Sequence, residues 1–193
     1  MNEVVAWPAH PCFDKDDEEE LFNTNVKPTL NNRGVFSHRG IDYDILANDS
    51  FDDDQEYFFV SDSEYGYDLS VGFNKDIGVM QINHVCKNPD SDRKGLPSSV
   101  YLDYLLPMEG ELVSDLTQTA DAFKFWKNLF RKVSKLDDVY FYAVDVENPI
   151  DNKLKYVDIE NVTDMDYYYG KDSGNEFHQN YAFSITDTPR KTS

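Results

Sequence analysis

Arg93-Lys94-Gly95-Leu96-Pro97 sets two cations and a glycine directly ahead of a stretch with helical character, Ser98 to Leu106. A helix start carries unpaired N–H groups and the positive end of the dipole, so a basic glycine turn there suits an anion such as a phosphate. Asp92 adds a negative charge, and Pro97 supplies no N–H. A second reading is a charged surface loop entering a helix at Pro97. His84 lies on an apolar run and titrates near neutrality, so it could serve as a general base. Its alternative is a structural histidine on a strand. The carboxylates of Asp52-Asp53-Asp54 and Glu56 could attract an amine.

No residue set has metal-ligand spacing. The four histidines and the two cysteines, Cys12 and Cys86, form no zinc pattern. Asp164-x-Asp166 lacks the later ligands and the glycine of a calcium loop. Two free thiols are the default for cysteines this far apart in a reducing compartment.

The elements that would position these residues follow from pattern. Residues 1–33 read as an acidic N-terminal arm holding Trp7, the run Asp14 to Glu20, Leu21-Phe22 and a turn at Asn31 to Gly34. The domain spans 34–193. Val35 to Ala47 holds one strand at most. Further strands are expected at Glu56–Val60, Gly66–Gly72, Ile77–Val85, Glu111–Val113, Val139–Asp145, Leu154–Val157 and Phe177–Ile185. One helix is expected from Ser98, ended by Pro107. A second spans 116–133, started by the capping-box pattern Asp115-Leu-Thr-Gln118. Ala122, Phe123, Trp126, Leu129, Phe130 and Val133 fall on its apolar stripe, with Lys124, Lys127 and Arg131 opposite.

The chain has 193 residues and a net charge of −19, with 13 Tyr and 13 Phe. That many aromatics can build a core and argues against a disordered acidic protein. The charge argues against direct nucleic-acid binding and favours a basic partner, or solubility alone. No apolar run is long enough to span a bilayer and no signal peptide is visible, so no membrane association and a soluble intracellular or virus-borne protein are expected.

The order β-rich meander, turn, helix, strand, helix, strand, strand resembles the GNAT acyl-CoA N-acyltransferase superfamily over about residues 34–187, best over 77–130. Ser114-Asp115-Leu-Thr-Gln118-Thr119 followed by Trp126-Lys-Asn-Leu129 is most similar to the acetyltransferase-like proteins of tailed bacteriophages. The resemblance implies a mixed α+β fold, with a mostly antiparallel sheet and two principal helices. It also implies transfer of an acyl group, acetyl from acetyl-CoA, to an amine substrate. The coenzyme would lie on Arg93, Lys94, Gly95, Leu96, Ser98 and Ser99, and Val85 would offer an N–H to the oxyanion from a bulged strand. The family's proton-donating tyrosine aligns with Trp126, a very poor acid. Tyr101, Tyr104, Tyr140 or Tyr142 would have to replace it, with His84 as the base. Because the reactive positions are altered, the alternative is a non-catalytic protein of the same fold. That protein would be a virion component, or an acidic inhibitor of a host nucleic-acid-binding protein. The implied location is the host cytoplasm or the virion.

Overall fold

The computed structural model describes residues 30–47, 56–62, 67–87, 93–116, 118–150, 153–169 and 181–192. Most of the expected arm, with Trp7, the acidic run and Leu21-Phe22, lies outside them, as do Asp52 to Asp54 and Asp92. The fold is mixed α+β with mostly antiparallel strand pairs. The chain divides into two compact units, residues 1–74 with 83–100, and residues 75–82 with 101–193.

In the first unit, β1 (Asn31–His38), β2 (Ile41–Ala47), β3 (Glu56–Ser61) and β4 (Leu69–Asn74) form an antiparallel meander. The expected single strand over 35–47 is therefore a hairpin. Its two-residue turn is Arg39-Gly40, with φ of 53° and 80°. Two successive positive φ values match the right-handed twist of flanking strands. The expected turn at 31–34 is the start of β1, since Asn31 pairs with Ala47 and Asn32 with Leu46. Arg33 is an extra residue in the ladder, and Gly34 takes φ 144° there. Leu46, Phe59 and Tyr67 pack together with Leu30 against them.

In the second unit, β5 (Met80–Lys87) contributes its first three residues, parallel to β6 (Glu111–Ser114): Met80 opposes Leu112, Gln81 opposes Val113 and Ile82 opposes Ser114. The rest of β5 belongs to the first unit. β6 pairs antiparallel with β9 (Tyr181–Thr186), β9 with β7 (Tyr140–Ile150), and β7 with β8 (Lys153–Asp158). All four residues of β6 are buried.

The first helical run does not stop at Pro107. It comprises α1 (Leu96–Ser99), a π-helical segment (Val100–Leu105) and α2 (Leu106–Glu109), and ends at Gly110 with φ 74°. Proline lacks an N–H, and its ring crowds the carbonyl one turn back. The wider π register before Pro107 accommodates both defects, so the helix continues. Helix α3 (Ala120–Val133) is capped by Thr119, whose hydroxyl accepts from the Ala122 N–H at 3.2 Å. The cap therefore lies four residues beyond the expected Asp115. Of the expected stripe, Phe123, Trp126, Leu129, Phe130 and Val133 are buried and Ala122, at its edge, is half-buried. Trp126 is edge-on to Tyr101 at 5.9 Å and to Phe141 at 6.1 Å, and tilted on Phe183 at 6.5 Å.

A third helix, α4 (Val162–Tyr168), was not expected. Asn161 accepts from the N–H groups of Thr163 and Asp164, and the Asp164 carboxylate accepts from the Asn161 N–H. The aspartates of Asp164-x-Asp166 thus cap this helix and pair with Lys127 on α3.

Candidate functional site

In the first unit, the turn at 93–95 is fastened from inside. Arg93 Nη2 donates to Asp62 Oδ2 at 2.6 Å, and Arg93 Nε lies 3.8 Å from Asp68 Oδ1. Asp62 follows β3 and Asp68 precedes β4; their side chains are 6% and 1% exposed. The Asp68 N–H donates to the Val60 carbonyl at 2.7 Å and its carboxylate accepts from the Asp62 N–H at 3.2 Å. The hydrogen bond to Asp62 raises the Arg93 pKa further, so its charge is permanent and already balanced. Tyr43 on β2 is buried beside this cluster. Burial raises its pKa, and its hydroxyl has no hydrogen-bond partner among the described residues.

The expected cradle residues divide accordingly. Lys94 is exposed, and its carbonyl faces Nε2 of His38 at 3.3 Å. Gly95 takes φ 81°, the left-handed conformation that brings the chain into α1. The Leu96 N–H is turned back onto the Arg93 carbonyl at 3.3 Å, and its side chain is fully buried. The Ser99 N–H donates to the Gly95 carbonyl at 3.1 Å, and Ser98 is buried. Two of the backbone donors expected for a phosphate, Leu96 and Ser99, are thus engaged within the turn. On β5, Val85 is 37% exposed, while His84 Nε2 lies 2.8 Å from Cys86 Sγ. Cys86 is disulfide-bonded, where a free thiol was expected.

In the second unit, Tyr101 is 1% exposed and wedged edge-on between Phe125 and Trp126. Burial holds its pKa well above the ordinary tyrosine value. Tyr104 is half-buried on the π-helical segment. Tyr140 opens β7, opposite Thr186. It lines a groove of about 240 Å³ with Phe130, Val133, Leu136, Ile159 and Glu160. Tyr101 meets α3 at Phe125 and Trp126, and the groove meets it at Phe130 and Val133. Tyr142 is buried, and its oxygen accepts from the Arg190 N–H at 3.0 Å.

A buried polar cluster on β6 was not anticipated. Glu111 on β6 is 1% exposed. Its Oε1 accepts from the Ser184 hydroxyl at 2.6 Å, and its Oε2 from Arg190 Nη2 at 2.6 Å and the Tyr156 hydroxyl at 3.0 Å. Burial first, then Glu111, pushes the Tyr156 pKa up. Thr192 continues the attachment through a parallel bridge to Tyr156 and a 2.8 Å bond to Asp158. This arrangement latches residues 190–192 to the sheet and engages both oxygens of Glu111. Glu111 stands next to Gly110 and directly before the apolar pair Leu112-Val113. A charge in that setting signals a buried partner, though not which one.

The motif Ser114-Asp115-x-x-Gln118-Thr119 is also bonded inward. Ser114 Oγ accepts from Gln118 Nε2 at 2.7 Å and from the Phe183 N–H at 2.9 Å. Tyr169, stacked on Phe123 at 3.9 Å, donates to the Gln118 carbonyl at 3.1 Å. The pattern pins the loop before α3 to β9. Among the described residues no group of His, Cys, Asp or Glu could hold a metal ion, and no helix is long and apolar enough to cross a membrane. The sequence matches no family model and no curated protein, and the fold matches no solved structure.

Proposed function

We propose that this chain is a non-catalytic, acyltransferase-like protein that acts by binding a basic protein partner. The observation that carries this reading is the capture of Arg93 by Asp62 at 2.6 Å, with Asp68 behind it. A guanidinium held by two buried carboxylates offers little charge to a pyrophosphate. The buried Tyr101 and indole-bearing Trp126 supply no accessible acid of useful strength. The described surface carries exposed carboxylates at Asp42, Asp76, Asp103, Asp137, Asp138 and Glu160, and the net charge of −19 steers cationic surfaces toward it.

Acyl transfer from acetyl-CoA to an amine is the second reading. The parallel β5–β6 pair, joined through a helix that starts at a left-handed glycine, supports it. The deciding experiment incubates the protein with acetyl-CoA and a panel of primary amines, and follows amine acetylation by mass spectrometry. The first reading expects no acetylation above the uncatalysed rate. Turnover that is lost in His84→Ala would replace it with the second.

A further inference from the structure

The groove at the end of α3 combines two kinds of lining. Phe130, Val133, Leu136, Phe141 and Ile159 make it apolar, and Leu136 is 43% exposed. Among the described residues the charged groups that line it are Asp158 and Glu160, both exposed carboxylates. Two more exposed carboxylates, Asp137 and Asp138, lie in sequence between the lining residues Leu136 and Val139. Lys132 and Lys135 are exposed nearby on the chain but do not line the groove. We propose, on the footing of the partner-binding reading, that this groove is where the basic protein docks. It seats one large aromatic side chain that has Lys or Arg on either side of it in the partner's sequence.

Size, lining and charge select that occupant. A volume of about 240 Å³ falls below the roughly 300–1,000 Å³ of sites that enclose a drug-sized ligand, so the groove is too small for a coenzyme and suits a single large side chain. Phe130 and Phe141 meet edge-on within it, with ring centroids 5.2 Å apart and planes at 84°. A third ring can join such a pair through edge or offset contacts, which add to the area it buries. Aromatic anchors seated in pockets carry much of the affinity of protein interfaces. The carboxylates around the groove act on the flanking cations. Being exposed, they add on-rate and discrimination against acidic segments more than affinity. A second copy of this chain, with the same net charge of −19, is repelled by them.

The test titrates the full chain into a fluorescein-labelled Lys-Arg-Trp-Arg-Lys peptide at low salt and follows anisotropy. Saturable binding is expected, weakened about tenfold or more when the peptide's tryptophan is replaced by alanine. Leu136→Glu removes the exposed apolar side chain and adds a carboxylate. Docking in the groove predicts a loss of about fivefold or more for this variant, whereas attraction to the overall charge leaves binding equal or tighter. Glu160→Gln is expected to weaken binding about threefold at low salt and not at high salt. Because a variant can misfold, wild type gives an independent reading: the tryptophan peptide should shift the methyl resonances of Leu136 and Ile159. Unmoved resonances, or binding unaffected by Leu136→Glu, would overturn the groove and leave a basic partner to bind elsewhere on the surface. Equal binding of Asp-Glu-Trp-Glu-Asp would overturn the selection by charge. No binding of any Lys/Arg peptide would overturn the groove and the partner-binding reading together.

Discussion

Arg190→Met tests how firmly the C-terminal segment is latched. The substitution keeps an apolar stem near the Tyr156 ring, 5.7 Å from the guanidinium carbon, and removes the donor that sits 2.6 Å from Glu111. Breaking a fully buried ion pair costs about 3–5 kcal/mol. Here the Glu111 side chain is 2% exposed but that of Arg190 is 34% exposed, so one side of the pair is wet. Tyr156 and Ser184 also continue to donate to the carboxylate. The loss is therefore nearer that of one charge-assisted hydrogen bond, about 2 kcal/mol. For a chain of this size that corresponds to a fall in Tm of about 4–8 °C. Urea unfolding of wild type, Arg190→Met, Glu111→Gln and the double variant isolates the pair. A coupling energy of about 1.5 kcal/mol or more is expected. Single effects that add to within about 0.5 kcal/mol would refute the latch.

Two further outcomes are expected. Trp126→Ala should cost about 3–5 kcal/mol in chemical unfolding, because the indole is 4% exposed among Tyr101, Phe141 and Phe183; a loss below about 1 kcal/mol would contradict that packing. Tyr101 keeps its proton in the folded state above the pH at which the unfolded phenol loses it, so its stabilising contribution is present below the ordinary value of 10.0 and is lost as pH rises beyond it. Tyr101→Phe should flatten the alkaline fall in stability by up to about 1.4 kcal/mol per pH unit, and identical alkaline slopes would count against the burial of this hydroxyl.

The sequence shows best what depends on local periodicity. The buried stripe of α3, and the strands β3 and β5 to β8, were readable because apolar spacing and turn residues agree there. Three features were not. The β1–β2 hairpin turns on Arg39-Gly40, where an arginine adopts φ 53°, so the usual asparagine or aspartate signal is missing. Helix α4 is short, and its capping box uses aspartate in place of glutamate, so Asp164-x-Asp166 was weighed only as a calcium loop and rejected as one. Pro107 normally ends a helix, and only the π register explains its tolerance. The candidate site was legible as residue types and not as partnerships. Arg93 is the clearest case. Its position before a glycine turn suggests an anion, but Asp62 and Asp68 are 31 and 25 residues upstream and satisfy it through the fold. The separation of Glu111 from Arg190 hid their pairing for the same reason.

The central claim is that the charge of Arg93 is consumed internally, so the turn at 93–99 no longer serves a coenzyme. Calorimetric titration of acetyl-CoA into the wild-type protein at low salt tests it most directly. The expected result is no saturable heat up to about 1 mM ligand, a binding free energy weaker than about −4 kcal/mol. Saturable binding at micromolar concentration, weakened by Lys94→Ala or Arg93→Ala, would contradict it and restore the turn as a coenzyme cradle.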